Sequence, residues 1–82
     1  MLRKKDGVEL EEFKKYGFKY GARDKFLYKT TSNKIESVIY IDLLPCHNNN
    51  NELKINCPSY SIPEKITDKL YELITAGLVE KV

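Results

Sequence analysis

Residues 35–44 read Ile35-Glu36-Ser37-Val38-Ile39-Tyr40-Ile41-Asp42-Leu43-Leu44, and this run carries the strongest strand signal in the chain. Successive side chains of a strand point to opposite faces. One face therefore presents Ile35, Ile39, Ile41 and Leu43, and the other presents Glu36, Val38, Tyr40 and Asp42. The pattern predicts a strand that buries its isoleucine face.

Three further strands are predicted around this one. Phe18–Tyr20 and Phe26–Thr30 are short and aromatic-rich, and residues 21–25 between them fit a hairpin loop. A turn cluster at residues 31–34 precedes Ile35, and Glu52–Cys57 alternates apolar and polar residues. Because the connections are short, neighbouring strands must be antiparallel, which predicts a four-stranded meander. The asparagine run between the last two strands is expected to be a solvated, mobile loop.

A short helix is predicted before the first strand. Asp6-Gly7-Val8-Glu9 has the form of a capping box, so we expect the helix to begin at Gly7. Gly17 should end it in the left-handed conformation, with Phe18 packing back on Phe13.

A second helix is predicted after the last strand. Ser61-Ile62-Pro63-Glu64 again has the capping-box form, and one apolar stripe follows, made of Ile66, Leu70, Leu73 and Ile74. Gly77 should end this helix, and residues 79–82 should form a short tail. The predicted fold class is α+β in the order α-β-β-β-β-α. The C-terminal helix should pack on the isoleucine face, with Leu70, Leu73 and Ile74 against Ile39, Ile41 and Ile55.

Length and composition fit one small domain spanning residues 1–82. The chain of 9.6 kDa is 41% hydrophobic and 32% charged, as is typical of a folded globular protein. Its apolar runs are too short to span a bilayer, and no apolar segment of a signal peptide follows the first residues. We therefore expect a cytoplasmic protein without membrane contact.

The residues that could carry reaction chemistry are few. Cys46, His47 and Cys57 offer at most three metal ligands, whereas a closed zinc site needs four. Neighbouring side chains of an extended segment point apart, so His47 is not placed to activate Cys46. We therefore predict no catalytic, cofactor-binding or metal site, and no enzyme activity. Without an export signal, the two thiols are expected to be reduced.

The N-terminal part of the chain is basic and rich in aromatic residues. Residues 1–34 hold ten Lys and Arg against five Asp and Glu, whereas residues 35–82 hold four against seven. Such a segment suits single-stranded nucleic acid, because bases stack on exposed rings while cations hold phosphates. The candidate contacts are Lys19, Tyr20, Arg23, Lys25 and Tyr28.

The second face of the sheet is a candidate protein contact surface. Val38 and Tyr40 point away from the isoleucine face, and either Phe26 and Tyr28 or Leu27 of the neighbouring strand should lie beside them. We take Val38, Tyr40 and Tyr28 as the candidate contacts. The alternative is that the N-terminal helix covers this face with Leu10 and Phe13. The predicted function is a small binding module that contacts a protein or a second copy of itself, with single-stranded nucleic acid as the alternative.

Three features of the whole chain carry a resemblance. They are a short helix ending in Tyr16-Gly17-Phe18, a meander rich in lysine and tyrosine, and a closing helix ending in Gly77-Leu78-Val79. In these the chain is similar to small phage and prophage proteins of low-GC Gram-positive bacteria. The resemblance implies that it acts by binding a macromolecule of the phage or its host, and it assigns no residue a role.

Overall fold

The computed structural model describes residues 1–21, 23–48, 50–58 and 62–82. Its main feature is a four-stranded antiparallel sheet in the order β2-β3-β4-β5. The strands are Lys19–Gly21 (β2), Lys25–Ser32 (β3), Ile35–Asp42 (β4) and Lys54–Asn56 (β5). The predicted α+β class and antiparallel sheet are confirmed. The arrangement around the sheet differs from the predicted one.

A second, two-stranded sheet was not predicted. Leu2–Lys4 (β1) pairs antiparallel with Val79–Lys81 (β6), so the expected C-terminal tail is a strand. On its other side β1 contacts residues 51–53. There the main-chain N–H of Lys4 donates to Asn51 O at 3.0 Å, and the main-chain N–H of Leu53 donates to Leu2 O at 2.9 Å. These bonds and the bridge between Arg3 and Glu52 join the pair to the segment immediately before β5. Three-residue strands in which two residues of three are charged give no alternation that sequence reasoning could detect.

A two-residue turn joins β3 to β4. Asn33 and Lys34 both have positive φ, at 51° and 66°. Two residues in this conformation match the twist of an antiparallel pair, and asparagine tolerates it better than most residues. The turn therefore contains only the last two residues of the predicted turn cluster at 31–34. The first two belong to β3, and Ser32 pairs with Ile35 across the hairpin.

The N-terminal helix is shorter than predicted. It spans Leu10–Phe13 (α1) and continues as one turn of 3-10 helix, Lys14–Tyr16. The predicted capping box is wrong, because the N-cap is Glu9 without a side-chain cap bond, and Gly7 has a φ of +85°. The predicted C-terminus is confirmed, since Gly17 has a φ of +91° and the rings of Phe13 and Phe18 lie 5.4 Å apart.

The C-terminal helix spans Glu64–Thr75 (α2) and is preceded by Pro63 at the N-cap. The predicted cap Ser61 lies outside the described residues. At the other end, Gly77 has a φ of +77°, and the amide of Leu78 donates to Leu73 O at 3.1 Å, as the predicted Schellman turn requires.

Two members of the predicted helix–sheet core are in fact exposed. Ile66 and Leu73 are fully buried and Leu70 is half-buried, but Ile74 is 48% exposed and Ile55 is 38% exposed. The helix α2 makes its main strand contacts with β4 and β6, which leaves Ile55 of the edge strand β5 partly open. A cleft of about 580 Å³ opens there, lined in part by Leu2, Leu53, Ile55 and Leu70.

Both helices lie on the same face of the main sheet. Phe13 of α1 packs on Phe18 and Phe26, with ring centroids 5.4 and 6.3 Å away, and all three belong to one core cluster with Ile39 and Ile41. The alternative in which Leu10 and Phe13 cover Val38 and Tyr40 is therefore wrong.

Replacing Leu73 with alanine should cost about 2 to 5 kcal/mol of unfolding free energy, because the side chain is fully buried and leaves a cavity. The adjacent Ile74→Ala is the matched control and should cost less than about 1 kcal/mol, since the side chain is half in solvent. Denaturant melts measure both. Equal costs for the two variants would contradict the orientation of α2.

Candidate functional site

The face of the main sheet opposite the helices has an apolar centre. Pairing places Leu27 opposite Tyr40 and Lys29 opposite Val38, so these side chains share one face. Leu27, Val38 and Tyr40 are half-buried and stand outside the core cluster. Both helices pack on the opposite face of the sheet, and Tyr40 also borders the cleft lined by Leu2 and Leu70. We call this surface, with its lysines described next, the open face.

Four lysines surround this apolar centre. Lys19 and Lys54 stand in the same row as Leu27 and Tyr40, and Lys25 and Lys29 stand in the rows on either side. The Lys25 ammonium lies over the Tyr40 ring, 4.2 Å from its centroid, which is a cation–π contact. The Lys29 ammonium lies 3.8 Å from the Glu36 carboxylate on the same face. The result is an apolar patch with a basic rim.

Gly21 lets Leu27 lie flat across the edge strand β2. A Cβ built on Gly21 would stand 2.6 Å from a methyl carbon of Leu27, closer than real contacts allow. A larger residue at position 21 would force the Leu27 side chain to shift.

The structure separates the residues of the predicted protein contact. Val38 and Tyr40 lie on the open face, but Tyr28 pairs with Ile39 and lies on the helix-covered face. There its ring packs 5.8 Å from Phe18 and lies beneath the Lys69 ammonium at 4.9 Å. Placing Tyr28 in this site was wrong, because the register puts Leu27 beside Tyr40.

The predicted nucleic-acid contacts are also separated. Lys19 and Lys25 reach the open face, whereas Tyr20 and Tyr28 lie on the other face of the sheet. Tyr20 is 52% exposed but packs on Phe26 at 4.9 Å. The set therefore forms no continuous surface of rings and cations, since side chains one residue apart in a strand point to opposite faces.

Arg23, the remaining member, sits in the β2–β3 hairpin loop. Arg23 and Asp24 both have positive φ, at 62° and 54°. The loop is fastened to the end of β4, where the amide of Leu43 donates to Asp24 O at 2.9 Å. Arg23 is thereby held beside the loop that follows β4.

At this end of the open face a buried carboxylate meets a lysine. The Asp42 side chain is only 11% exposed, and Lys54 Nζ donates to its Oδ2 at 2.9 Å. This hydrogen bond lowers the pKa of Asp42 below its ordinary value against the opposing effect of burial, and the charges of Lys54, Lys25 and His47 lower it further. The same bond raises the pKa of Lys54. Alternation placed Asp42 on this face but gave no sign of its burial.

A cavity of about 360 Å³ opens above this pair. It is lined by Arg23, Lys25, Asp42, Leu44, His47 and Lys54. We call it the basic cavity. No single segment contains these residues: the hairpin loop, the start of β3, the end of β4, the following loop and β5 each contribute.

The loop after β4 is more ordered than the sequence predicts. The side-chain Nδ2 of Asn48 donates to Asp42 O and to Asn51 Oδ1. Its Oδ1 accepts from the main-chain N–H of Asn51 at 2.7 Å. Asn50 and Asn51 both have positive φ, which explains asparagine at these positions. At least this part of the asparagine run is hydrogen-bonded, so the expectation of a merely solvated loop is corrected.

The cysteines and the histidine do not form a joint site. Cys46 is exposed, Cys57 is half-buried, and both thiols are free. Across residues 1–21, 23–48, 50–58 and 62–82, no three His, Cys, Asp or Glu side chains come together as a metal site would require.

Comparison with known protein families, with curated proteins and with solved structures finds no match for this chain. The similarity to small phage proteins therefore stays a prediction. None of the described helices is both long and apolar enough to cross a membrane.

The Asp42–Lys54 pair should make stability depend on acid pH. Because the pKa of Asp42 is lowered on folding, the pair stabilises the protein above the ordinary carboxyl pKa of about 4 and loses this contribution as the pH falls below it. The stability advantage of the wild type over Lys54→Met should therefore be largest near neutral pH and shrink in acid. Denaturant melts across the range measure it, and an advantage that stays constant with pH would contradict the assignment.

The two thiols should differ in reactivity. Cys46 should react with a thiol reagent faster than Cys57 in the folded protein, because it is the more exposed of the two. In denaturant without prior reductant both should react at similar rates. Mass spectrometry of the labelled protein distinguishes the sites, and a thiol that stays unlabelled in denaturant would contradict the assignment.

Proposed function

We propose that this protein is a small non-enzymatic binding module whose open face contacts a protein partner. The observation that carries the proposal is the half-buried apolar centre formed by Leu27, Val38 and Tyr40, which neither helix covers. Apolar centres with polar rims are typical of protein interfaces, and tyrosine is enriched among their strongest contacts.

The charge of the rim favours a partner with acidic side chains. Within strands β2 to β5, Lys19, Lys25, Lys29 and Lys54 outnumber the two carboxylates of the same face, Glu36 and Asp42. Two copies meeting through this face would bring lysine rims together, which opposes self-association. A different protein that carries carboxylates around an apolar spot fits better.

Single-stranded nucleic acid is the alternative, and the observation favouring it is the same excess of lysine. The rings argue against it. The Lys25 ammonium lies 4.2 Å from the centroid of the Tyr40 ring, so a base would have to displace this ammonium before stacking on the ring.

The test is capture of binding partners by the immobilised protein with and without nuclease. Tyr40→Asp should abolish capture, because it places a charge in the apolar centre of the contact. Tyr71→Asp is the matched control, since Tyr71 is 71% exposed on α2, away from the open face. It should capture as the wild type does, and circular dichroism should show both variants folded.

Two outcomes would overturn the proposal. One is loss of capture in both variants or in neither. The other is binding that nuclease removes and that weakens about tenfold or more on doubling the salt, since release of counterions from phosphates gives that steep dependence. A folded Tyr40→Asp variant that loses a nuclease-resistant partner, beside a Tyr71→Asp variant that keeps it, supports the proposal.

A further inference from the structure

The basic cavity has more positive charge than the protein itself neutralises. Three basic side chains line it, Arg23, Lys25 and Lys54, against the single carboxylate of Asp42. Asp42 is engaged by Lys54 at 2.9 Å, and Lys54 also donates to His47 O at 3.4 Å. Two positive charges remain.

Arg23 and Lys25 supply these two charges. Within the described part of the chain neither forms an ion pair, and Asp24, which separates them in sequence, does not line the cavity. Like charges held at one cavity repel, more strongly the less water screens them. An anion in the cavity would relieve this repulsion.

Main-chain hydrogen bonds anchor the loops that border the cavity. The main-chain N–H of Leu43 donates to Asp24 O and anchors the loop that carries Arg23. The side-chain Nδ2 of Asn48 donates to Asp42 O and anchors the loop that follows β4. Two further main-chain bonds, from His47 and Asn48 to Leu44 O, close a tight turn at 2.9 Å each. A site formed by anchored loops loses less conformational entropy on binding.

We propose that the basic cavity binds a phosphate group, either as inorganic phosphate or as a phosphomonoester. A guanidinium offers a planar pair of donors and an ammonium offers a point charge, and together they suit a tetrahedral dianion. A carboxylate has only two oxygens and one charge, and would leave a donor and a charge unmatched. His47 provides a further donor at the rim.

The test follows amide chemical shifts of isotope-labelled protein during titration at constant ionic strength. The probes are inorganic phosphate, phosphoserine and acetate. Inorganic phosphate should shift the amides of Arg23, Leu44 and His47 along a saturating curve, and acetate should bind about tenfold more weakly or worse. Saturation by phosphoserine at the same residues would identify an ester phosphate as a ligand, and saturation by inorganic phosphate alone would identify the free ion.

The variant Arg23→Gln/Lys25→Gln should weaken phosphate binding by about tenfold or more, since it removes both unneutralised charges. Lys34→Gln/Lys65→Gln is the matched control. It removes the same charge outside the cavity and the open face, and should change affinity by less than about twofold because salt screens distant charges.

Three results would overturn the phosphate site: shifts that rise linearly and spread to Lys34 and Lys81, equal affinity for acetate and phosphate, or equal weakening by the two double variants. The protein contact and the phosphate site fail separately. The first depends on Tyr40 and is read by capture of a partner, whereas the second is read with small anions alone.

Discussion

The isoleucine face of β4 packs beneath α2, and the other contacts of the core are built around this burial. Ile39 and Ile41 are fully or almost fully buried with Phe26 beside them, and Leu73 and Ile66 of α2 complete the contact. A chain of 82 residues has enough apolar surface for one such core. Because α1 joins the same core through Phe13, both helices are committed to one side of the sheet, and the other side stays open.

The open face follows from this commitment. Its strands alternate, so each buried residue of β3 and β4 is matched by a neighbour pointing the other way. In β3, Phe26 and Tyr28 face the helices, whereas the alternate residues Leu27 and Lys29 face outward. Lysine stems can lie along apolar groups while their ammonium groups stay in water, which explains how Leu27 and Tyr40 are half-buried without a covering element.

The pairing of the two ends of the chain positions the basic cavity. Strand β1 lies between β6 and residues 51–53, and Arg3 strengthens it by donating twice to Glu80, at 2.9 and 2.6 Å. The main-chain N–H of Lys4 donates to Asn51 O, and the Oδ1 of Asn51 accepts a hydrogen bond from Asn48 Nδ2. This chain of bonds links β1 to the loop that carries His47, which lines the same cavity as Asp42. Lys25 belongs to both the open face and the basic cavity, so the two sites are physically adjacent.

The sequence by itself determined the four strands of the main sheet, the buried face of β4 and the glycine ends of both helices, because these depend on local alternation and on φ values that glycine adopts most readily. It could not determine where α1 packs, since an amphipathic turn fits either face and only the phenylalanine cluster decides between them. The β1–β6 pair also lay beyond it, because three-residue strands from opposite ends of the chain are specified by long-range hydrogen bonds. Strand register brings Lys25, Asp42 and Lys54 together, and the loop bond from Leu43 to Asp24 O adds Arg23, so the group unites residues up to thirty-one positions apart in sequence.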